Sequence, residues 1–206
     1  MQAVSAQKIG ILALQGNFSE HAQRFAELGA EPILIRYSEQ LSQIDRLVIP
    51  GGESTCIDKL TAAGSGVDTR IFSLMKERIE GGMPVWGTCM GSIFLARNIE
   101  GSSQGRLSLM DIEVRRNAFG PQKFSFELPL PIPCLSNQPF LSVFIRAPLF
   151  LSTGKEVEVL AKLPTDESFG ALAGLAVMAR QKNMLATAFH PELVSDTRVH
   201  SYFLSI

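Results

Sequence analysis

Cysteine is scarce in this chain: Cys56, Cys89 and Cys134 are the only three in 206 residues, an odd number at irregular spacing. That pattern excludes a disulfide framework and offers no metal-ligand pair, so no metal is expected. A surplus of either charge is also missing, because 19 basic residues stand against 20 acidic ones and leave a net charge of -1. No basic field is therefore available to hold a nucleic acid or an anionic membrane. Long apolar runs are absent too. The longest weakly polar stretch, Ala171 to Ala179, is far shorter than the ~20 residues a membrane-spanning helix needs. MQAVSAQ at the N-terminus lacks the charged and apolar regions of a secretory signal. The expected setting is the reducing cytoplasm, which three unpaired cysteines also suit.

What is present is a globular composition, 46% hydrophobic and 19% charged. The length suits one domain over residues 1–206, with residues 1–7 as a loose tail. Lys8 to Leu14 (KIGILAL) is a continuous apolar run, as expected of a strand buried on both faces of a parallel sheet. Asn17 with Glu20 three residues on reads as a capping box, and Ala22, Phe25 and Leu28 space out as a helical face. Strands follow at Pro32 to Tyr37 and Asp45 to Ile49, the second ending in Pro50-Gly51-Gly52-Glu53-Ser54-Thr55. Ser54 or Thr55 would cap a helix through Ile57 and Leu60, and Asp68 one carrying Ile71, Met75 and Ile79. Alternating strands and helices predict an α/β fold with a mostly parallel sheet. Beyond Gly101 the texture turns β-rich, with strands expected at 107–114, 124–128, 142–146, 157–163, 172–179 and 184–189. The Pro-rich piece Leu128 to Pro139 reads as an exposed connector, and a closing helix is expected from Asp196 to Leu204.

Pro84 to Arg97 (PVWGTCMGSIFLAR) carries the strongest chemical signal. Apolar residues enter and leave Gly87-Thr88-Cys89-Met90-Gly91, which reads as strand, sharp turn and helix. This is the G-x-nucleophile-x-G elbow with cysteine in the serine position. A helix N-terminus aimed at Cys89 favours a thiolate, the reactive form. A cysteine nucleophile needs a base, and the base needs an orienter. His190 and Glu192 supply both if the strand ending near Phe189 continues through them, because residues two apart then share a side. The order Cys, His, Glu differs from the nucleophile, acid, histidine order of α/β-hydrolases. His21 and His200 lack such a context and read as surface or internally satisfied histidines. The Met90 N–H and the Gly51-Gly52 turn are candidate oxyanion donors. Acyl transfer through a thioester follows from these parts.

Together Leu12-Ala13-Leu14-Gln15-Gly16, Pro50 to Thr55, Trp86-Gly87-Thr88-Cys89, Arg116 to Gly120, Ile145-Arg146-Ala147-Pro148 and Phe189 to Leu193 resemble the class I glutamine amidotransferases. Within that family the chain is most similar to the glutaminase branch that serves pyridoxal 5'-phosphate formation. The resemblance implies a flavodoxin-like three-layer sandwich and hydrolysis of L-glutamine to glutamate and ammonia without a cofactor. It makes Cys89 the nucleophile, His190 the base and Glu192 the orienter, and assigns glutamine contacts to Gly52, Glu53, Ser54, Arg116, Ile145 and Arg146. Two arginines suit a free amino acid, whose carboxylate guanidinium binds well. It also implies a (β/α)8-barrel synthase subunit as partner in a large hetero-oligomer, to which the ammonia is channelled. Three positions depart from the wider pattern. Ile93 stands where glutamine is usual in other amidotransferases, Met90 where this branch has a small residue, and Pro121 where it has arginine. Met90 and Pro121 motivate a second reading, a non-catalytic scaffold that docks on the synthase. A third is an elbow-cysteine hydrolase or redox-stress protein on a similar fold, against which the glutamine-site motifs count.

Overall fold

The structure is a computed structural model that describes residues 6–52, 68–119 and 125–206. Its first strands are β1 (Lys8–Leu12), β2 (Glu31–Ile35), β3 (Arg46–Ile49) and β4 (Val85–Thr88). Helix α1 (Phe18–Glu27) links β1 to β2, and α2 (Arg70–Glu80) precedes β4. Ile71, Met75 and Ile79 form the buried stripe of α2 that their spacing predicts. Asp68 accepts the Arg70 N–H just before this helix, although Thr69 is the capping residue.

After β4 come α3 (Met90–Leu95), β5 (Ala96–Ile99), β6 (Met110–Arg115), β7 (Phe126–Leu130), β8 (Phe140–Phe144), β9 (Leu149–Thr153) and β10 (Glu158–Lys162). The chain closes with β11 (Ala176–Gln181), β12 (Met184–Thr187) and α4 (Arg198–Leu204). Ten strands form one sheet in the order β2-β1-β3-β4-β12-β11-β9-β6-β5, with β10 paired to β11, while β7 and β8 form a separate hairpin.

The five strands from β2 to β12 in that order are parallel throughout. Parallel strands need both faces covered, and the burial agrees: β4 and β12 are buried at every residue and β3 at three of four. Each fully buried Val, Leu or Ile contributes about 1.5–3 kcal/mol of transfer free energy. One consequence matters for function. All carboxyl ends of these strands lie along one edge, so the segments after β1, β3, β4 and β12 converge there.

Four expectations are corrected. Ala96–Ile99 is a strand rather than the continuation of the elbow helix, because the N–H groups of Leu107 and Leu109 take the carbonyls of Phe94 and Leu95. Leu149–Thr153 is a strand that the sequence reading left out. The Pro-rich connector is partly core, since β7 runs through Pro129 and both Leu130 and Ile132 are buried. Pro129 is tolerated because β7 pairs on one side only. Finally, the Asn17 side chain makes no capping bond to α1. The expected helix through Ile57 and Leu60 lies outside the described residues, as do Cys56 and Pro121.

Candidate active site

The elbow is built by close backbone packing. A Cβ on Gly87 would sit 2.4 Å from the Gly91 carbonyl carbon, and one on Gly91 would sit 1.9 Å from the Ile49 oxygen. Only glycine lets the turn press this tightly on α3 and β3. Between them Cys89 adopts φ 47° and ψ -107°, a conformation costly for a side chain with a Cβ. Its N–H donates to the Thr187 carbonyl of β12 at 2.8 Å, and its own carbonyl accepts from the Ser92 hydroxyl at 2.6 Å. Among the described residues, strain thus collects at the cysteine that the sheet edge presents.

His190 follows β12, the neighbour of β4, so the pairing of Thr187 with Thr88 sets it beside Cys89. It reaches Glu192 differently from the sequence expectation. The strand ends at Thr187, and Pro191–Leu193 forms a 3-10 turn that folds the carboxylate back onto the ring. Nδ1 of His190 lies 2.8 Å from Oε1 of Glu192. Burial alone would lower the His190 pKa, but hydrogen bonds to Cys89 and Glu192 outweigh it and push it up to about 10. Burial would raise Glu192, yet the bond from His190 and the charge on that ring hold it below the usual carboxylate range. His21 itself is lowered by complete burial, so it is neutral near pH 7 and the charged partner of Glu192 is His190.

Helix α1 grips this acid from the other side. Asn17, His21 and Arg24 stand at i, i+4 and i+7, on one face of the helix. Asn17 Nδ2 donates to Glu192 Oε1 at 3.2 Å, His21 Nε2 lies 3.5 Å from Oε2, and Arg24 Nε donates to the Glu192 carbonyl at 3.5 Å. His21 and His200 are completely buried, joined Nδ1 to Nε2 at 3.1 Å, and flanked by Trp86 and Phe25. His21 Nε2 also lies 3.3 Å from the Thr88 hydroxyl. The sequence reading missed these contacts. One signal was there: His21 precedes the core residue Phe25 by four and so shares its buried face.

A cavity of about 290 Å³ opens over Cys89 and His190, small enough to suit a metabolite rather than a larger ligand. Gly52, Met90, Arg116, Ile145 and Arg146 line it, with Asn17, Ile93 and Asn117 beside them among the described residues. Glu192 is buried behind His190, with 1% of its surface exposed. Hairpin β7–β8 delivers Ile145 and Arg146, and a bond from the Ala118 N–H to the Ala147 carbonyl ties them to the Arg116 turn. Arg116 is held by a bond from Nη1 to Gln104 Oε1 at 2.8 Å. Of the five non-glycine residues with positive φ among the described residues, Cys89, Asn117 and Arg146 all line this cavity. Glu53 and Ser54 lie outside the described residues.

Gly51 plays a different part from the one expected. Its N–H donates to the Thr88 hydroxyl at 2.9 Å and is therefore already committed. A Cβ there would stand 2.4 Å from His190 Cε1 and 3.1 Å from Cys89 Cβ. Gly51 makes room for the base and nucleophile to meet, and Gly52 is the residue of the pair that lines the cavity.

Residues 11–206 match the family described as SNO glutamine amidotransferase. The chain is 51% identical over 197 residues to the pyridoxal 5'-phosphate synthase subunit PdxT of Carboxydothermus hydrogenoformans, covering 96% of each. It is 52% identical to the PdxT subunit of Pelotomaculum thermopropionicum, covering 96% of this chain and 93% of that one. A crystal structure of a glutamine amidotransferase superposes with a TM-score of 0.84 at 43% identity, covering 96% of this chain and 97% of the other.

Proposed function

The chain belongs to the SNO glutamine amidotransferase family, and from that premise we propose that it hydrolyses L-glutamine at the cavity over Cys89. The observation that carries this reading is a buried His190–Glu192 pair, 2.8 Å apart, set against a strained elbow cysteine. In the first half-reaction His190, already charged beside Glu192, holds the proton that Cys89 gives up, and the Cys89 sulfur attacks the side-chain amide carbon. The carbonyl oxygen becomes an oxyanion, held by the N–H groups of Met90 and Gly52. His190 then passes its proton to the departing nitrogen, the C–N bond breaks, and ammonia leaves a glutamyl thioester on Cys89. Water, deprotonated by His190, attacks the thioester, and the C–S bond breaks to release glutamate and restore the thiol. Glu192 keeps the His190 ring oriented and stabilises its cation in both halves.

Arg116 and Arg146 are positioned to receive the substrate α-carboxylate, with Gly52, Glu53, Ser54 and Ile145 as the further contacts. The 51% identity to a PdxT subunit supports a role as the glutaminase subunit of pyridoxal 5'-phosphate synthase in the cytoplasm. Its partner is then a (β/α)8-barrel synthase subunit within a large hetero-oligomer, which receives the ammonia. No described helix is long and apolar enough to cross a membrane.

The test is glutamate release from L-glutamine, with and without the cognate synthase subunit and with Cys89→Ala as control. Release that depends on Cys89 and rises with the partner is expected. Absence of release from the assembled pair would leave the chain a scaffold and sink the proposal.

A further inference from the structure

Glu192 Oε2 is buried with no hydrogen-bond partner, while Oε1 is shared by His190 and Asn17. An unpaired buried carboxylate oxygen is costly and does not persist without a donor nearby. We propose that His21 is a positioning residue for the hydrolytic site, its Nε2–H directed at Glu192 Oε2 and its tautomer set by a bond from His200 Nε2–H to His21 Nδ1. This inference rests on the glutaminase reading for its kinetic consequence, though the hydrogen-bond pattern stands by itself.

Geometry selects this arrangement over its reverse. Only one hydrogen lies between His21 Nδ1 and His200 Nε2, which are 3.1 Å apart. If His21 supplied it, the lone pair of its Nε2 would face the Glu192 carboxylate at 3.5 Å, a repulsive contact in a dry interior. If His200 supplies it, His21 Nε2–H points between Glu192 Oε2 and the Thr88 hydroxyl at 3.3 Å. The bare nitrogen is then His200 Nδ1, which is the ring atom found buried and unpartnered. A 3.5 Å separation is long, and such contacts tighten once substrate closes a site.

The arrangement also links two parts of the site. Thr88 accepts the Gly51 N–H, so His21 touches both the acid and the residue that anchors the Gly51-Gly52 turn. His21 is absent from the cavity wall and completely buried, so it acts through Glu192 and not on the substrate.

The variants that separate positioning from packing are His21→Phe, which keeps an aromatic ring against Trp86 and Phe25, and His21→Gln, whose amide N–H replaces Nε2–H. His21→Phe should lower kcat roughly 10- to 100-fold, the worth of one hydrogen bond to a charged group. KM should stay within about twofold, since no ground-state contact is lost. His21→Gln should recover most of the loss. Equal kcat for folded His21→Phe and the unsubstituted enzyme would overturn the proposal, as would failure of Gln to surpass Phe at matched stability. Should the variants not fold, nitrogen NMR of the histidines in the intact protein near neutral pH decides the matter: a neutral Nε2–H tautomer for His21 is expected, and an Nδ1–H tautomer refutes it. Loss of Cys89-dependent release in the unsubstituted assembly would count against the glutaminase reading alone, because the tautomer is measured without turnover.

Discussion

Replacing Glu192 with Gln removes one charge at almost constant volume, which isolates the electrostatic role of the acid. His190 stands at about 10 against an ordinary 6.5, which corresponds to roughly 5 kcal/mol in favour of the imidazolium. Cys89 and Glu192 together supply that preference against the opposing effect of burial, and losing a hydrogen bond to a charged group, about 2 to 3 kcal/mol, lowers the rate roughly 30- to 150-fold. A glutamine that presents its amide N–H to Nδ1 would also impose the wrong ring tautomer, which in triads of this kind costs on the order of 10⁴-fold. The expected fall in kcat therefore lies between about 10² and 10⁴. Stability offers a second readout. Glu192 is held below its ordinary 4.5 on folding, so its contribution is present above pH 4.5 and lost as pH falls through the lowered value. Urea unfolding of Glu192→Gln should accordingly show less acid-dependent loss across that interval than the unsubstituted chain. A kcat within about threefold of the original, at unchanged stability near neutrality, would remove Glu192 from the mechanism.

Two other perturbations test different parts of the site. Gly51→Ala places a methyl group 2.4 Å from His190 Cε1, and the ring displacement of about 1 Å that relieves it should lower kcat about 10²-fold. Thermal melting alongside initial rates checks that the loss is catalytic, and an active, normally stable variant would show that the close approach is unimportant. Arg116→Ala should raise KM for glutamine about 10- to 100-fold with kcat little changed, the worth of a charged hydrogen bond to a carboxylate. Steady-state kinetics would show an unaltered KM if Arg116 serves only its bond to Gln104.

The parallel half of the fold was legible because its strands are short continuous apolar runs, each closed by glycine or by the next helix. Lys8–Leu12, Arg46–Ile49 and Val85–Thr88 follow from hydrophobicity alone. The strand at Ala96–Ile99 was hidden, because Ile93 to Ala96 has the composition of a helix and only a distant segment, Leu107 to Leu109, diverts its carbonyls. Cys89, His190 and Glu192 were visible as residue types in a telling order. How His190 meets Glu192 was not, since a 3-10 turn after a proline and a strand end share one sequence signature. Asn17 and His21 were obscured for a related reason. Local spacing made Asn17 a helix cap and His21 an ordinary histidine, and only tertiary packing turns both towards an acid 175 and 171 positions away, respectively.

The central claim is that Cys89 carries the glutamyl group between the two half-reactions. It is tested most directly by acid-quenching the assembled enzyme during turnover of L-glutamine and locating the adduct by peptide mass spectrometry. A glutamyl thioester confined to Cys89, absent from Cys134 and abolished in Cys89→Ala together with glutamate release, is the predicted result. Turnover that persists in Cys89→Ala, with no adduct on Cys89 in the unsubstituted enzyme, would contradict the account.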